Sequence, residues 1–356
     1  MSEKTVKRIA VVPGDGIGPE VIDEAVGVLD RLRETHDIEL ELRHFDWGAD
    51  KFLSEGVSLP AGALEMLTRE FDAILAGAFG DPRVPSNQHA EDILLGMRRG
   101  LDLYINLRPV KLLDARLTPL RDRKPEEIDF VVFRENTEGA YCGAGGFLKK
   151  NTDEEIATQE ELNTRRGVER IIVAAFEYAR AQGRKKVTMC DKSNVQRFGG
   201  DLWQRTFKEV AARYEGIEAN HQYVDATAMF MVLNPAQFDV VVTNNLFGDI
   251  LTDIGAALQG GLGMAASGNI HPGRVSVFEP VHGSAPPLAG KGVANPVGSI
   301  LTTAMMLEYL GHGEASRAVE RAVGECVVAR ETTRDLGGEL STKEAGEAIR
   351  KRLEKV

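Results

Sequence analysis

The chain lacks any apolar run approaching the ~20 residues that a bilayer-spanning helix requires, so no membrane partner is expected. It is poor in cysteine. Cys142, Cys190 and Cys326 share no close spacing, which suits a reducing, cytoplasmic setting and reads as three small buried residues. No basic block offsets the net charge of −11, which argues against a nucleic-acid partner. The opening Met-Ser-Glu-Lys-Thr-Val-Lys-Arg has no apolar region of the signal-peptide kind and leads straight into an expected strand. Internal repeats and low-complexity linkers are missing too. What remains is an ordinary globular composition, 43% hydrophobic and 27% charged over 356 residues, enough for a large core and two domains.

Arg8 to Val12 reads as a strand, followed by Pro13-Gly-Asp-Gly-Ile-Gly18. Val21, Ile22, Ala25, Val26, Leu29 and Leu32 then recur at helical spacing. Strand, glycine loop and helix invite a dinucleotide-binding reading. However, glycines at 14, 16 and 18 give G-x-G-x-G rather than G-x-G-x-x-G, and no acidic residue closes a following strand in the expected manner, so a Rossmann fingerprint is not expected. Further strands are expected at 38–42, 71–76, 102–110, 128–133, 186–190, 219–224, 238–243 and 275–278. Helices are expected at 61–69, 93–99, 163–182, 200–214, 227–233, 247–258, 298–310, 314–329 and 342–353. Alternating strands and helices mean an α/β protein. The stretch 141–158, with Gly143, Gly145, Gly146 and paired lysines, reads as an excursion, an arm or subunit clasp.

Asn245-Leu-Phe-Gly-Asp249-Ile-Leu-Thr-Asp253 follows the apolar run Val240-Val-Val-Thr243. On a helix, Asp249 and Asp253 are i and i+4, with Cβ atoms about 5–6 Å apart on one face. Two carboxylates that close repel unless a cation lies between them, and oxygen-only ligation favours Mg²⁺ or Mn²⁺ over zinc. The other reading is a solvated acidic face. Arg108, between Leu107 and Pro109, and Arg134, ending an apolar strand, join Arg98 as arginines in places where the guanidinium is usually paired. Three such arginines beside a cation site point to a substrate with two or more carboxylates. Lys192, Asn194 and Asp225 follow strand ends, where α/β sheets present ligands. A lysine there can accept a proton when nearby cations or desolvation disfavour its charged form.

Taken in order, Pro13-Gly-Asp-Gly-Ile-Gly, Asn106-Leu-Arg-Pro, Arg134-Glu-Asn-Thr-Glu-Gly, Asp191-Lys-Ser-Asn, the 245–253 stretch and Phe278-Glu-Pro-Val-His-Gly-Ser-Ala-Pro resemble the isocitrate/isopropylmalate family of β-decarboxylating dehydrogenases. The resemblance covers nearly the whole chain. It implies a two-domain fold of the isopropylmalate dehydrogenase kind, not Rossmann, with mixed sheets flanked by helices. Its first domain would be discontinuous, 1–103 and 257–356, around a central domain, 104–256, that holds the arm and most catalytic residues. It also implies a homodimer with shared sites. Asp249 and Asp253 would bind Mg²⁺ or Mn²⁺ with Asp225 of the neighbouring subunit. Arg98, Arg108 and Arg134 would clamp the malate moiety. Tyr141 and the neighbour's Lys192 would be acid and base, with Asn194 close by. Glu279, His282, Gly283, Ser284, Ala285 and Asn295 would line the cofactor's adenosine half.

Members of this family share the malate core and differ at the γ-substituent, read by the helix before Arg98. Glu91, Leu94 and Leu95 resemble the isopropylmalate pattern, in which a leucine pair favours an isopropyl group and repels a charged one. Alternatively, the two leucines are core. Arg134-Glu-Asn-Thr-Glu-Gly is closer to isocitrate and tartrate enzymes than to the usual isopropylmalate pattern, and Asp46-Trp47 and Arg165-Arg-Gly-Val-Glu169 resemble the tartrate/D-malate branch, which is the alternative substrate class. At the nucleotide site, Pro287 stands where NAD-dependent members carry Asp, and Arg334 where proline is usual. Losing a repelling carboxylate and gaining a cation both help a 2′-phosphate, so NADP is expected to be used beside NAD. A reading of another class is a non-catalytic regulatory subunit. Such a subunit would be expected to have lost some of Tyr141, Lys192, Asp225, Asp249 and Asp253, and all five are present.

Overall fold

The computed structural model describes residues 6–353; the first five residues of the opening stretch lie outside them. The chain forms two compact units. One comprises Met1–Leu103, Lys111–Pro125 and Ala256–Val356, the other Tyr104–Val110 and Glu126–Gly255.

In the first unit, strands stand side by side in the order Leu40–His44, Lys7–Gly14, Ala73–Ala78, Ser276–Pro280 and Ala266–Ile270. The first four are parallel and the last is antiparallel to Ser276–Pro280, so the sheet is mixed. Every residue of Ala73–Ala78 is buried, as expected for a strand covered on both faces. The helix Gly18–Thr35 starts with proline in its first turn and packs against Val297–Tyr309 and Thr342–Lys351. Among the elements that the sequence reading missed are one strand and one helix of this unit. Ala266–Ile270 is a fully buried strand built from Ala, Ser, Gly, Asn and Ile, small and polar residues that carry no alternation. The helix Ala49–Glu55 is too short to display a period. The 102–110 strand begins only at Ile105, and Asp102, with a left-handed φ of 51°, stands outside it.

The second unit arranges Ile105–Lys111, Asp129–Glu135, Val240–Thr243, Lys186–Asp191 and Glu218–Tyr223 in that order. The pairings of the last four strands are parallel. The helix Arg165–Ala181 covers this sheet with Val168, Ile171, Ile172, Ala175 and Phe176 buried. Within the excursion, Gly145–Leu148 and Ile156–Gln159 pair as an antiparallel ribbon whose residues are all exposed, Phe147, Leu148 and Ile156 among them. Cys190 and Cys326 are buried as expected, but Cys142 is only half-buried, in the turn before this ribbon. Among the described residues no helix is long and apolar enough to cross a membrane.

Candidate active site

The site in the second unit begins where a fully buried strand, Val240–Thr243, ends and the helix Asn245–Leu258 starts. Asn244 caps the helix, its Oδ1 accepting from the Phe247 amide at 2.9 Å. One turn in, Asp249 receives three side chains. Arg134 donates to its Oδ1, Arg108 Nη2 stands 3.7 Å from the same oxygen, and the Tyr141 hydroxyl donates to Oδ2 at 2.9 Å. Arg134 is 1% exposed. A guanidinium that deep needs fixed negative charge and good hydrogen bonds, and it has both, since its Nε also donates to Asn245 Oδ1 at 2.9 Å. Arg108 is oriented by Asn106 Oδ1 and Thr252 Oγ1, each at 2.7 Å. Burial, and then the Asp249 carboxylate, push the Tyr141 phenol above its ordinary pKa, which keeps it a proton donor.

The motif Arg134–Gly139 is mostly scaffold. Glu135 accepts from the amides of Thr137 and Glu138 and from the Thr137 hydroxyl, while burial raises its carboxyl pKa. Glu138 accepts from the Thr164 amide at 2.8 Å, and Thr164 in turn caps the helix Arg165–Ala181. The Gly139 amide donates to Leu162 O at 2.8 Å. These bonds fix the turn that delivers Tyr141.

Lys192 and Asp225 are brought together, Nζ to Oδ1 at 2.6 Å. The lysine follows the strand Lys186–Asp191 and the aspartate opens the helix Val224–Leu233. The lysine holds the Asp225 carboxyl below the usual carboxylate range. Asn194 is exposed on the same loop. Among the described residues no three His, Cys, Asp or Glu side chains gather as a metal cage would need. One chain therefore offers a hard-oxygen pair. The side chain of Asp253 is exposed and makes no hydrogen bond or ion pair with the described residues; with Asp249 it is a donor set that suits Mg²⁺ or Mn²⁺ if further oxygens are supplied.

In the first unit, the helix Gln88–Gly100 carries Glu91 exposed and Leu94 and Leu95 half-buried, with Leu94 packed on the core beside Ile93 and Met97. Arg98 Nη2 donates to Glu279 Oε1 at 3.0 Å, and Asn269 donates to the same oxygen at 2.8 Å. Glu279 thus lies in the strand Ser276–Pro280, not in the following loop. In that loop His282 is nearly buried, which lowers its pKa, and its Nδ1 lies 3.1 Å from Gly283 O. Ser284 O accepts from the Ile17 amide at 2.8 Å, and Ala285 has a left-handed φ of 39°. Asn295 donates to Asp335 at 2.9 Å and accepts from the Val297 amide. Arg334, in the adjoining turn, is exposed and unpaired among the described residues. Sequence reading gave no role to Asn245, although it opens the 245–253 motif, nor to Thr252, Asn269 and Asp335, whose partners only folding brings to them.

The model of the isocitrate/isopropylmalate dehydrogenases matches residues 8–349. The chain belongs to that family. A 3-isopropylmalate dehydrogenase of Thermobifida fusca is 48% identical over 355 residues, 99% of each chain. One of Streptomyces coelicolor is 46% identical, covering 95% of this chain and 99% of its own. Among solved structures, an isocitrate dehydrogenase of Methylococcus capsulatus superposes with a TM-score of 0.88 at 38% identity, over 98% of this chain and all of that one. Like the family, the chain is an oxidoreductase acting on a CH–OH group with decarboxylation.

Packing around Arg134 is tight enough to test. A Cβ on Gly248 would stand 2.6 Å from Arg134 Cγ. In a free helix Gly→Ala gains about 1 kcal/mol. Here Gly248→Ala is expected to lower stability by about 1–3 kcal/mol through overpacking. In an Arg134→Gly background, which removes both Cγ and the Cβ that would stand 2.7 Å away, the same change should cost much less. Denaturant titrations giving equal effects in both backgrounds would contradict this packing.

Proposed function

We propose that the chain catalyses the metal-dependent oxidative decarboxylation of 3-isopropylmalate, with hydride transfer to NAD or NADP, as a step of leucine biosynthesis. The observation that carries the substrate is the half-buried Leu94–Leu95 pair with Glu91 and Arg98 on one helix, together with the names of the relatives. Leucines of that kind reward an isopropyl group and reject a third carboxylate.

The roles follow from the residue chemistry. Arg108 and Arg134 hold the substrate's carboxylates; Asp249 already occupies both as a carboxylate would. Lys192 takes the proton of the secondary hydroxyl as the hydride departs from the same carbon. Carbon dioxide leaves the resulting β-keto acid, and Tyr141 returns a proton to the enolate carbon. When bound, the nicotinamide supplies the hydride acceptor and the divalent cation the electron withdrawal that both steps need. Asp225, Asp249 and Asp253 are the residues that would hold that cation. The cofactor's adenosine half is assigned to Glu279, His282 to Ala285 and Asn295, and a 2′-phosphate to Arg334.

A homodimer would complete the cation site with Asp225 of the other subunit. Exposed apolar side chains support it. Phe147, Leu148 and Ile156 lie on the ribbon, Met229, Val232 and Leu233 on the helix of Asp225, and Leu246 and Ile250 on the helix of Asp249. A two-stranded ribbon that exposes its apolar residues is marginal on its own, so it calls for a partner surface.

Three measurements test this reading. With Mn²⁺ and NAD⁺ or NADP⁺, kcat/KM for 3-isopropylmalate should exceed that for D-malate, tartrate and isocitrate by at least about tenfold; a better rate with any of those overturns the substrate. Asp225→Asn and Asp249→Asn should each be inactive alone. Unfolded and refolded together, they should recover about one quarter of wild-type activity, because half the dimers are mixed and each has one intact site. No recovery means that the three carboxylates do not meet across subunits. Finally, Arg334→Ala should raise the KM for NADP⁺ about tenfold and leave that for NAD⁺ unchanged. Negligible NADP⁺ turnover by the wild type would remove this role.

A further inference from the structure

The roles assigned above leave a buried pair in the first unit unused. Asp15 lies in the glycine loop 13–18, and His89 in the first turn of the helix Gln88–Gly100. The imidazole is fully buried and the carboxylate nearly so, with Nε2 2.7 Å from Oδ2. An ionised carboxylate only accepts, so Nε2–H donates, and Nδ1 is left buried without a hydrogen-bond partner among the described residues. On its flank the ring stacks on Phe52, centroids 6.0 Å apart.

Asp15 has other holds. Its Oδ1 accepts from the Ala49 amide at 2.6 Å and its Oδ2 from the Gly80 amide at 2.8 Å. One carboxylate therefore joins the glycine loop, the start of the helix Ala49–Glu55, the loop after Ala73–Ala78, and the helix that carries Glu91, Leu94, Leu95 and Arg98. The same glycine loop is seated on Ser284. The Ile17 amide donates to Ser284 O, and Gly16, with a φ of +60°, comes so close that a Cβ there would stand 2.0 Å from that oxygen.

Stability alone does not explain such a pair. Apolar replacement of a buried polar pair is often neutral or stabilising, and Asp15 would keep two backbone donors without the imidazole. What His89 supplies is position. We infer that Asp15 and His89 are positioning residues: their hydrogen bond registers the substrate-reading helix on the loop that seats Ser284, and so sets the stance of the face that reads the γ-substituent. The substrate half of this inference rests on the proposed function; its mechanical half rests on the hydrogen bonds alone.

His89→Leu keeps the volume and removes the donor, whereas His89→Gln keeps a donor of similar reach. In the leucine variant, hydrogen exchange at Gly80 and through the first turns of the helix is expected to quicken about tenfold, with the rest of the unit unchanged. KM for the hydroxy acid should rise about tenfold while kcat and the nucleotide KM stay within about twofold. His89→Gln should reverse both effects. Should the leucine variant not fold, His89→Asn, whose amide falls short of Asp15, replaces it. Unchanged exchange and KM overturn the inference. So does an even loss across kcat, both KM values and thermal midpoint that glutamine does not rescue, since that is the signature of a core residue. If the wild type turns over no 2-hydroxy diacid, the proposed function fails while the exchange comparison still decides whether the pair positions the helix.

Discussion

Everything chemical in the second unit depends on the compensation of one buried positive charge. Arg134 has almost no access to water, so its guanidinium relies on Asp249 and Asn245, which face it from the first turns of the helix Asn245–Leu258. That requirement fixes the helix against the strand Asp129–Glu135 and brings Asp249 to Tyr141 and Arg108. Gly248 is glycine for the same reason, since a side chain there would strike the arginine's stem. A carboxylate satisfied by arginines can exchange them for a cation, and the arginines can then turn to a substrate's carboxylates. On the proposed function, that interchange lets a cation and a substrate's carboxylates take the places these side chains now fill for one another.

The first unit is organised around an anion too, but one of opposite character. Asp15 is buried and held by two amides and an imidazole. It joins segments, whereas Asp249, half-exposed, faces the side chains of Arg108, Arg134 and Tyr141. The same residue type meets fixed backbone donors in one unit and movable side-chain donors in the other. Arg98 and Glu279 make a comparable internal pair, drawing the helix Gln88–Gly100 to the strand Ser276–Pro280.

Much was legible before folding. The alternation of strand and helix periods located most elements within a few residues, because periodic burial leaves its imprint on any chain that forms a two-faced layer. The strand Ala266–Ile270 left none, since it is buried on both faces and made of small and polar residues. The helix Ala49–Glu55 was too short to repeat. Among the site residues, those legible in the sequence stood in dense motifs: Asp249 and Asp253 by their spacing, Arg134 at the end of an apolar strand, Lys192 and Asp225 just past strand ends. His89 was invisible. A single histidine ahead of a helical stretch carries no signal until the partner, far away in the chain, is brought to 2.7 Å.

The sequence by itself determined the class of fold and the family, because periodicity and contiguous motifs are local properties that survive without coordinates. Asp249 and Asp253, one helical turn apart, could be paired on the same grounds. Only the tertiary structure decided what those carboxylates face. Asp249 meets two arginines and a tyrosine, Asp225 a lysine, and Glu279 sits in a strand against Arg98. Charge compensation in a buried site depends on distances between residues remote in sequence, and no spacing along the chain encodes them.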